Sequence, residues 1–366
     1  MRFPEFKEEY NEKLLSDILS RVSKPVKIRE NEKYYQIGIR SHSKGLFYKE
    51  PETGKQIGNK RIFWIEPNCL IVNIVFAWEQ AVSITTEKEI GMVASHRFPM
   101  YKAYDNNLLY VNFFFKTEKG KQLLQMASPG GAGRNKTLNQ DFFLNSKVML
   151  PEEKEQVKIS KMLSLIEQRI ETQIKIIDDY NSLKMGIYNW MFKENYADYK
   201  LKQLAYIVKG DQINNDQLLS NGSYYMMNGG ISPSGYLDSY NVSENTISIS
   251  EGGNSCGYVQ FNSSPFWSGG HCYTIQNVNS ALIENKYLYH YLKHKEKEIM
   301  NLRIGTGLPN IQKKDLENFT IFVPSLLIQR KNLALFEMLD KKICILNEEL
   351  ERLEIQKKYL LRNMFI

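Results

Sequence analysis

The sequence is poor in the groups that carry chemistry. Of its 366 residues only four are cysteine and five histidine. Cys69, Cys256, Cys272 and Cys344 are scattered without C-x-x-C spacing, which speaks against a disulfide framework and for a reducing, cytoplasmic setting. The histidines (His42, His96, His271, His290 and His294) include no H-E-x-x-H. The adjacent His271-Cys272 lacks a second ligand pair at zinc-site spacing, so no metal site is expected. His290 and His294, one turn apart in a lysine-rich stretch, read as a solvated helix face. The one G-x-S-x-G, at 253–257, falls in a stretch of strands and turns and not at a strand-to-helix elbow, and there is no glycine-rich strand-turn-helix loop, so nothing here is expected to bind or activate a methyl donor. The segment SPGGAGRNK at 128–136 misses the G-x-x-x-x-G-K-[ST] spacing and follows a predicted helix, not a strand. No run approaches the roughly 20 apolar residues of a membrane span, and the opening MRFPEFKEEY lacks the apolar segment of a secretory signal.

What is present is length, aromatics and a modest positive charge. A chain of 366 residues exceeds one typical core, so two globular units are expected. A net charge of +7 favours a polyanionic partner without requiring one. The 22 tyrosines suit either strands or a polar contact surface.

The organising feature is an internal repeat. FKEEYNEKLLSDI at 6–18 matches FKENYADYKLKQL at 192–204 at an offset of 186, and Pro151 to Phe192 matches Pro324 to Phe365 at an offset of 173. The difference of 13 places extra residues in the variable part of the first copy, where loops absorb them. Within the second match runs a 4-3 apolar spacing, the seam of a coiled coil. In the first copy it reads Leu163, Ile166, Ile170, Gln173, Ile177, Tyr180, Lys184, Ile187 and Met191. In the second it reads Phe336, Leu339, Ile343, Leu346, Leu350, Leu353, Lys357, Leu360 and Met364, with a lysine at the same interruption. That lysine either specifies register or snorkels to water. Each run predicts a helix of about 35 to 40 residues, roughly 55 Å long, and an antiparallel pairing of the two would act as a stiff spacer. Residues 20–150 and 205–323 read as short strands with glycine turns, each ending in a helical stretch near 106–126 and 280–301. The fold expected is α+β: two mixed α/β lobes separated by two long antiparallel coiled-coil helices, with a pseudo-two-fold repeat. The divisions are 1–150, 151–192, 193–323 and 324–366.

Loop residues able to meet nucleic acid are Arg40, His42, Lys44, Lys60, Arg61, Arg97 and Arg134 in the first lobe, with Lys55 and Asn59 beside them. In the second they are Asn228, Ser234, Tyr236, Asn254 and Tyr258. Arginine and lysine pair with guanine edges or phosphates and asparagine with adenine. Two lobes alternating with two matching seam helices resemble the specificity subunit of type I restriction-modification systems. The resemblance rests on RFPEFKEEYNEKLLSDI at the start, LPEEKEQVKISKMLSLIEQRIETQIKIIDDYNSLKMGIYNWMF at 150–192, and its counterpart at 323–365. Less specific segments are FAWEQAVSITTEKEIGMVASHRFPMY at 76–101 and TISISEGGNSCGYVQFNSSPFW at 246–267. The resemblance implies a non-catalytic subunit that reads a bipartite target in double-stranded DNA. It implies docking of two methyltransferase subunits and addition of endonuclease subunits, with S-adenosylmethionine, ATP and Mg held by those partners and no cofactor in this chain. Rival readings are a structural coiled-coil adaptor binding proteins through both lobes, and a single-chain enzyme with fused recognition domains, which the missing cofactor motifs disfavour.

Overall fold

A computed structural model describes residues 2–104, 108–130, 136–192, 196–305 and 307–365. It divides into two compact units, Met1–Ile174 with Glu348–Ile366, and Lys175–Asn347. No described helix is long and apolar enough to cross a membrane.

The first unit is built on an antiparallel sheet whose strands lie in the order Leu19–Val22, Met100–Ala103, Leu70–Val72, Val82–Ile84. Successive side chains of a strand point to opposite faces. Leu70 and Val72 accordingly enter one core with Tyr101, Tyr110, Phe113 and Phe115, while Cys69 and Ile71 enter another with Ile37, Ile39 and Met100. Burial on both faces explains the unbroken apolar run at this point of the sequence. The second unit repeats the sheet with Tyr206–Lys209, Cys272–Gln276, Thr246–Ser250 and Val259–Asn262 in the same order. Here Ile247 and Ile249 fill the core, and Ser248 turns the other way to accept a 2.9 Å hydrogen bond from Asn262.

The repeat survives to the register of single residues. Asn11 lies opposite Leu150 and Ala197 opposite Val323, which reproduces both sequence offsets in one ladder. The amide of Gln156 donates to the carbonyl of Pro151 at 2.8 Å, and Gln329 does the same to Pro324 at 2.8 Å. Tyr110 packs on Phe365 with centroids 4.9 Å apart, and Tyr287 packs on Phe192 at 5.4 Å. Strand partners also locate the insertions. Arg21 against Tyr101 corresponds to Ile207 against Ile275, and Ile71 against Met100 to Ser248 against Thr274. The offset thus falls from 186 at Arg21 to 177 at Ile71, so nine extra residues lie between them. In that interval the first unit forms the short strands Lys33–Tyr34, Ile37–Ile39, Leu46–Tyr48, Glu52–Thr53 and Ile62–Trp64. The second unit instead has Tyr224–Met227 and Gly235–Leu237, joined into a small sheet by Trp267–Ser268 from later in the chain.

Two helices of 39 residues each, Glu153–Met191 and Leu326–Met364, follow the matching prolines. Their seam is as the 4-3 spacing predicts. Leu163, Ile166, Ile177, Phe336, Leu339, Leu346, Leu353 and Leu360 are buried, and Ile170, Ile343 and Leu350 are half-buried. Within each unit the helices run antiparallel. In the first, Glu167 meets Lys357 at 2.6 Å and Gln173 meets Glu349 at 3.5 Å. In the second, Tyr188 packs on Phe336 at 4.6 Å and Lys184 pairs with Asp340. The two seam lysines therefore neither face free water nor sit unpaired. Lys184 with Asp340 and Lys357 with Glu167 are one ion pair written twice, both members displaced by 173.

The helical stretches behind each sheet are split in two, Leu108–Phe115 with Glu118–Met126 and Asn285–His294 with Glu296–Met300. The solvated face expected for His290 is overturned. His290 is 4% exposed and its Nδ1 lies 2.7 Å from the hydroxyl of Tyr188, because the helix turns Tyr287, Leu288, Tyr291 and Leu292 inward around it and its lysines outward. His294 is half-buried against Phe192 and Tyr188.

Candidate nucleic-acid interface

In each unit the strand ends of the four-stranded sheet gather loops that are far apart in the chain. In the second unit Glu251 follows one strand, His271 precedes its neighbour, and Lys209 closes the next. The Glu251 amide donates to the carbonyl of His271 at 2.9 Å, and Ile311 donates to the carbonyl of Glu251 at 2.9 Å. Gly253 donates to the carbonyl of Pro309 at 3.0 Å, so Pro309 is tied to the same place. Asn228 accepts from the His271 amide at 3.0 Å. The close approach requires glycine at 269, where a Cβ would lie 2.6 Å from Oδ1 of Asn228.

Glu251 is the buried polar centre of this cluster. One oxygen accepts from the Tyr273 hydroxyl at 3.0 Å and from Lys209 at 2.7 Å, and the other faces Nδ1 of His271 at 3.7 Å. Burial, then the neighbouring carboxylate, pushes the Tyr273 hydroxyl far above its ordinary range, so it stays a donor. The ammonium of Lys209 and the ring of His271 remain open to solvent.

The first unit builds the counterpart with different side chains. Ile74 donates to the carbonyl of Arg97 at 3.0 Å and Leu138 donates to Ile74 at 2.8 Å, the same two bonds as at Glu251. Arg97 therefore stands where His271 stands, and Ile74 where Glu251 stands. His96 donates to the carbonyl of Arg61 at 3.1 Å, which brings Arg61 beside Arg97. A cleft of about 480 Å³ runs past Lys55, Asn59, Lys60 and Arg61 over Ile28 and Phe63. Lys60, Arg61 and Arg97 are exposed and form no ion pair among the described residues. Lys136 lies over the ring of Trp78 at 5.1 Å.

The other residues named from the sequence fall in several places. Arg40, His42 and Lys44 form the turn after Ile37–Ile39, where His42 takes a φ of 58° and its amide donates to Glu79 at 2.6 Å. The Arg40 guanidinium is occupied by the carbonyl of Leu46 at 2.8 Å. Tyr236 lies on the strand Gly235–Leu237 of the small sheet, Ser234 just before it donates its amide to Met226 at 2.9 Å, and Asn254 is exposed beside Gly253. Tyr258 carries the ammonium of Lys293 over its ring at 4.0 Å. Arg134 lies outside the described residues. Sequence reasoning passed over Lys209 and Glu251 and weighed His271 only as a metal ligand. No local spacing marks them, although the repeat aligns His271 with Arg97 once the strand register is known. Among the described residues no group of three or more His, Cys, Asp or Glu could hold a metal ion.

Residues 71–178 and 193–355 match the family described as the type I restriction modification DNA specificity domain. A Mycoplasma pneumoniae protein named as a type I specificity subunit is 34% identical over 158 residues, 43% of this chain and 42% of that protein. The chain thus aligns with less than half the length of that relative. A Methanocaldococcus jannaschii protein named as a type I restriction enzyme specificity subunit is 23% identical over 76% of this chain and 75% of its own. Among solved structures, the type I restriction-modification S subunit of Mycoplasma genitalium aligns with 100% of this chain and 97% of its own at a TM-score of 0.69 and 16% identity. A structure described as showing assembly and conformational transition of the type I system aligns with 98% of this chain and 99% of its own at a TM-score of 0.61 and 14% identity. At such identity these likenesses speak to the fold.

Proposed function

The chain belongs to the family of the type I restriction modification DNA specificity domain, and from that membership we propose that it is the DNA-reading subunit of a type I restriction-modification complex. Each unit reads one half of a bipartite duplex target, and the paired helices set the gap. The chain itself is non-catalytic: two methyltransferase subunits supply S-adenosylmethionine chemistry, and endonuclease subunits supply ATP and Mg. The observation that carries this reading is the repetition, at matching sheet ends, of a loop cluster with exposed basic or hydrogen-bonding side chains, Arg97 with Arg61 and Lys60 in one unit and Lys209 with His271 in the other. Phosphate contacts of this kind give affinity that falls with salt, while base-edge contacts of the surrounding loops supply selectivity. Duplex binding by the full chain with its methyltransferase partner, measured over a salt series, tests it. Binding that ignores salt, or binding of proteins alone, would favour a coiled-coil adaptor.

A further inference from the structure

Resting on the reading that both units contact DNA, we propose that Glu251 is a positioning residue that presents Lys209 and His271 together to the phosphate backbone. A carboxylate is costly to bury unless paired and hydrogen-bonded, and Glu251 is 8% exposed yet lies at the rim of a loop cluster. Its position is set from below by the Tyr273 hydroxyl and from both sides by backbone bonds to His271 and Ile311. The two side chains it faces are turned outward, with exposures of 51% for Lys209 and 62% for His271 against 11% for Glu251. An approaching anion therefore meets the ammonium and the imidazole and not the carboxylate. Lysine on a four-carbon stem is otherwise a mobile charge; the 2.7 Å bond to Glu251 holds its head in place before binding. The unit in which Ile74 replaces Glu251 has Arg97 at the His271 position, a planar guanidinium that needs no carboxylate beneath it.

The experiment uses the full chain with its methyltransferase partner and a labelled mixed-sequence DNA duplex, with fluorescence anisotropy read across a KCl series. Lys209→Gln is expected to reduce the slope of log affinity against log salt by about 0.9, the yield of one phosphate contact. Lys209→Gln with His271→Gln weakens binding further, and His271→Arg, which copies the first unit, retains it. Glu251→Gln lowers the slope with Lys209 and His271 still present, and Glu251→Asp restores part of it, a pattern that simple loss of fold does not give. Wild-type binding that depends on salt while the double variant keeps the full slope would overturn the proposal and leave the DNA reading standing. A wild-type chain with no salt-dependent binding would instead sink the DNA reading itself. Should Glu251→Gln fail to fold, Glu251→Asp decides: a slope below that of the wild type with Lys209 and His271 intact supports the positioning role, and an unchanged slope overturns it.

Discussion

Gln329 makes three hydrogen bonds with backbone groups: to the carbonyls of Pro324 and Leu282 at 2.8 and 2.9 Å, and from the amide of Glu284 at 2.8 Å. It thereby joins the start of one long helix to the start of the helix Asn285–His294. Gln329→Ala leaves these groups unmet and is expected to cost about 2–3 kcal/mol, read as a lower midpoint in urea unfolding. His290 governs a second residue-scale property. Burial first, then Lys184, push its pKa down to about 4 against the opposing pull of Asp340. The ring is thus neutral in the fold, whereas the unfolded chain binds its proton near about 6.5. Stability present above that value is lost as pH falls toward 4, by up to about 3 kcal/mol. Phe113 occupies the corresponding place in the first unit, so His290→Phe is expected to flatten this loss, measured by unfolding at a series of pH values. Some acid sensitivity should remain. Burial pushes the Glu167 carboxyl up, but Lys116 and Lys357 outweigh it and hold it below its ordinary range, so its contribution too is lost on acidification.

At the scale of elements, the long helices could be read almost directly from the sequence. The 4-3 spacing is local, occurs twice, and each predicted seam position is buried or half-buried. The ion pairs of Lys184 and Lys357 could not be read, because their partners lie on the other helix and only the antiparallel register brings them together. The same reason hid the loop clusters: Lys209, Glu251, His271 and Pro309 meet through sheet order, and no window of sequence contains them. His290 was misread because lysines around it set the local average, while the helix face it occupies is decided by tyrosines and leucines three and four positions away. Inserting one helical turn, about four residues, in the 160–185 run should lengthen the unread gap and leave both half-sites unchanged. Methylation mapping of cells carrying the variant checks it, and altered half-site sequences would count against the spacer role.

For the whole molecule, duplication accounts for more than any single motif. The same sheet order, the same strand registers and the same glutamine-to-proline bond recur, and nine of the 13 extra residues of the first copy lie between Arg21 and Ile71, against Ile207 to Ser248. These are the regions in which two copies of one design would acquire different targets. Methylome sequencing of cells with and without the chain is expected to show one bipartite motif that vanishes when the chain is absent. A single continuous motif would contradict two separate readers.

The ladder joining Asn11–Leu14 to Lys147–Leu150, and its copy joining Ala197–Lys200 to Thr320–Val323, puts the chain's way into each unit beside its way out. A coding segment cut at those two seams is a cassette with a standard plug at either end. Spliced between the same plugs, a foreign recognition segment would inherit the docking ladder and the helix that follows. A new target then takes one exchange at each of the two seams, with nothing else in the polypeptide rebuilt.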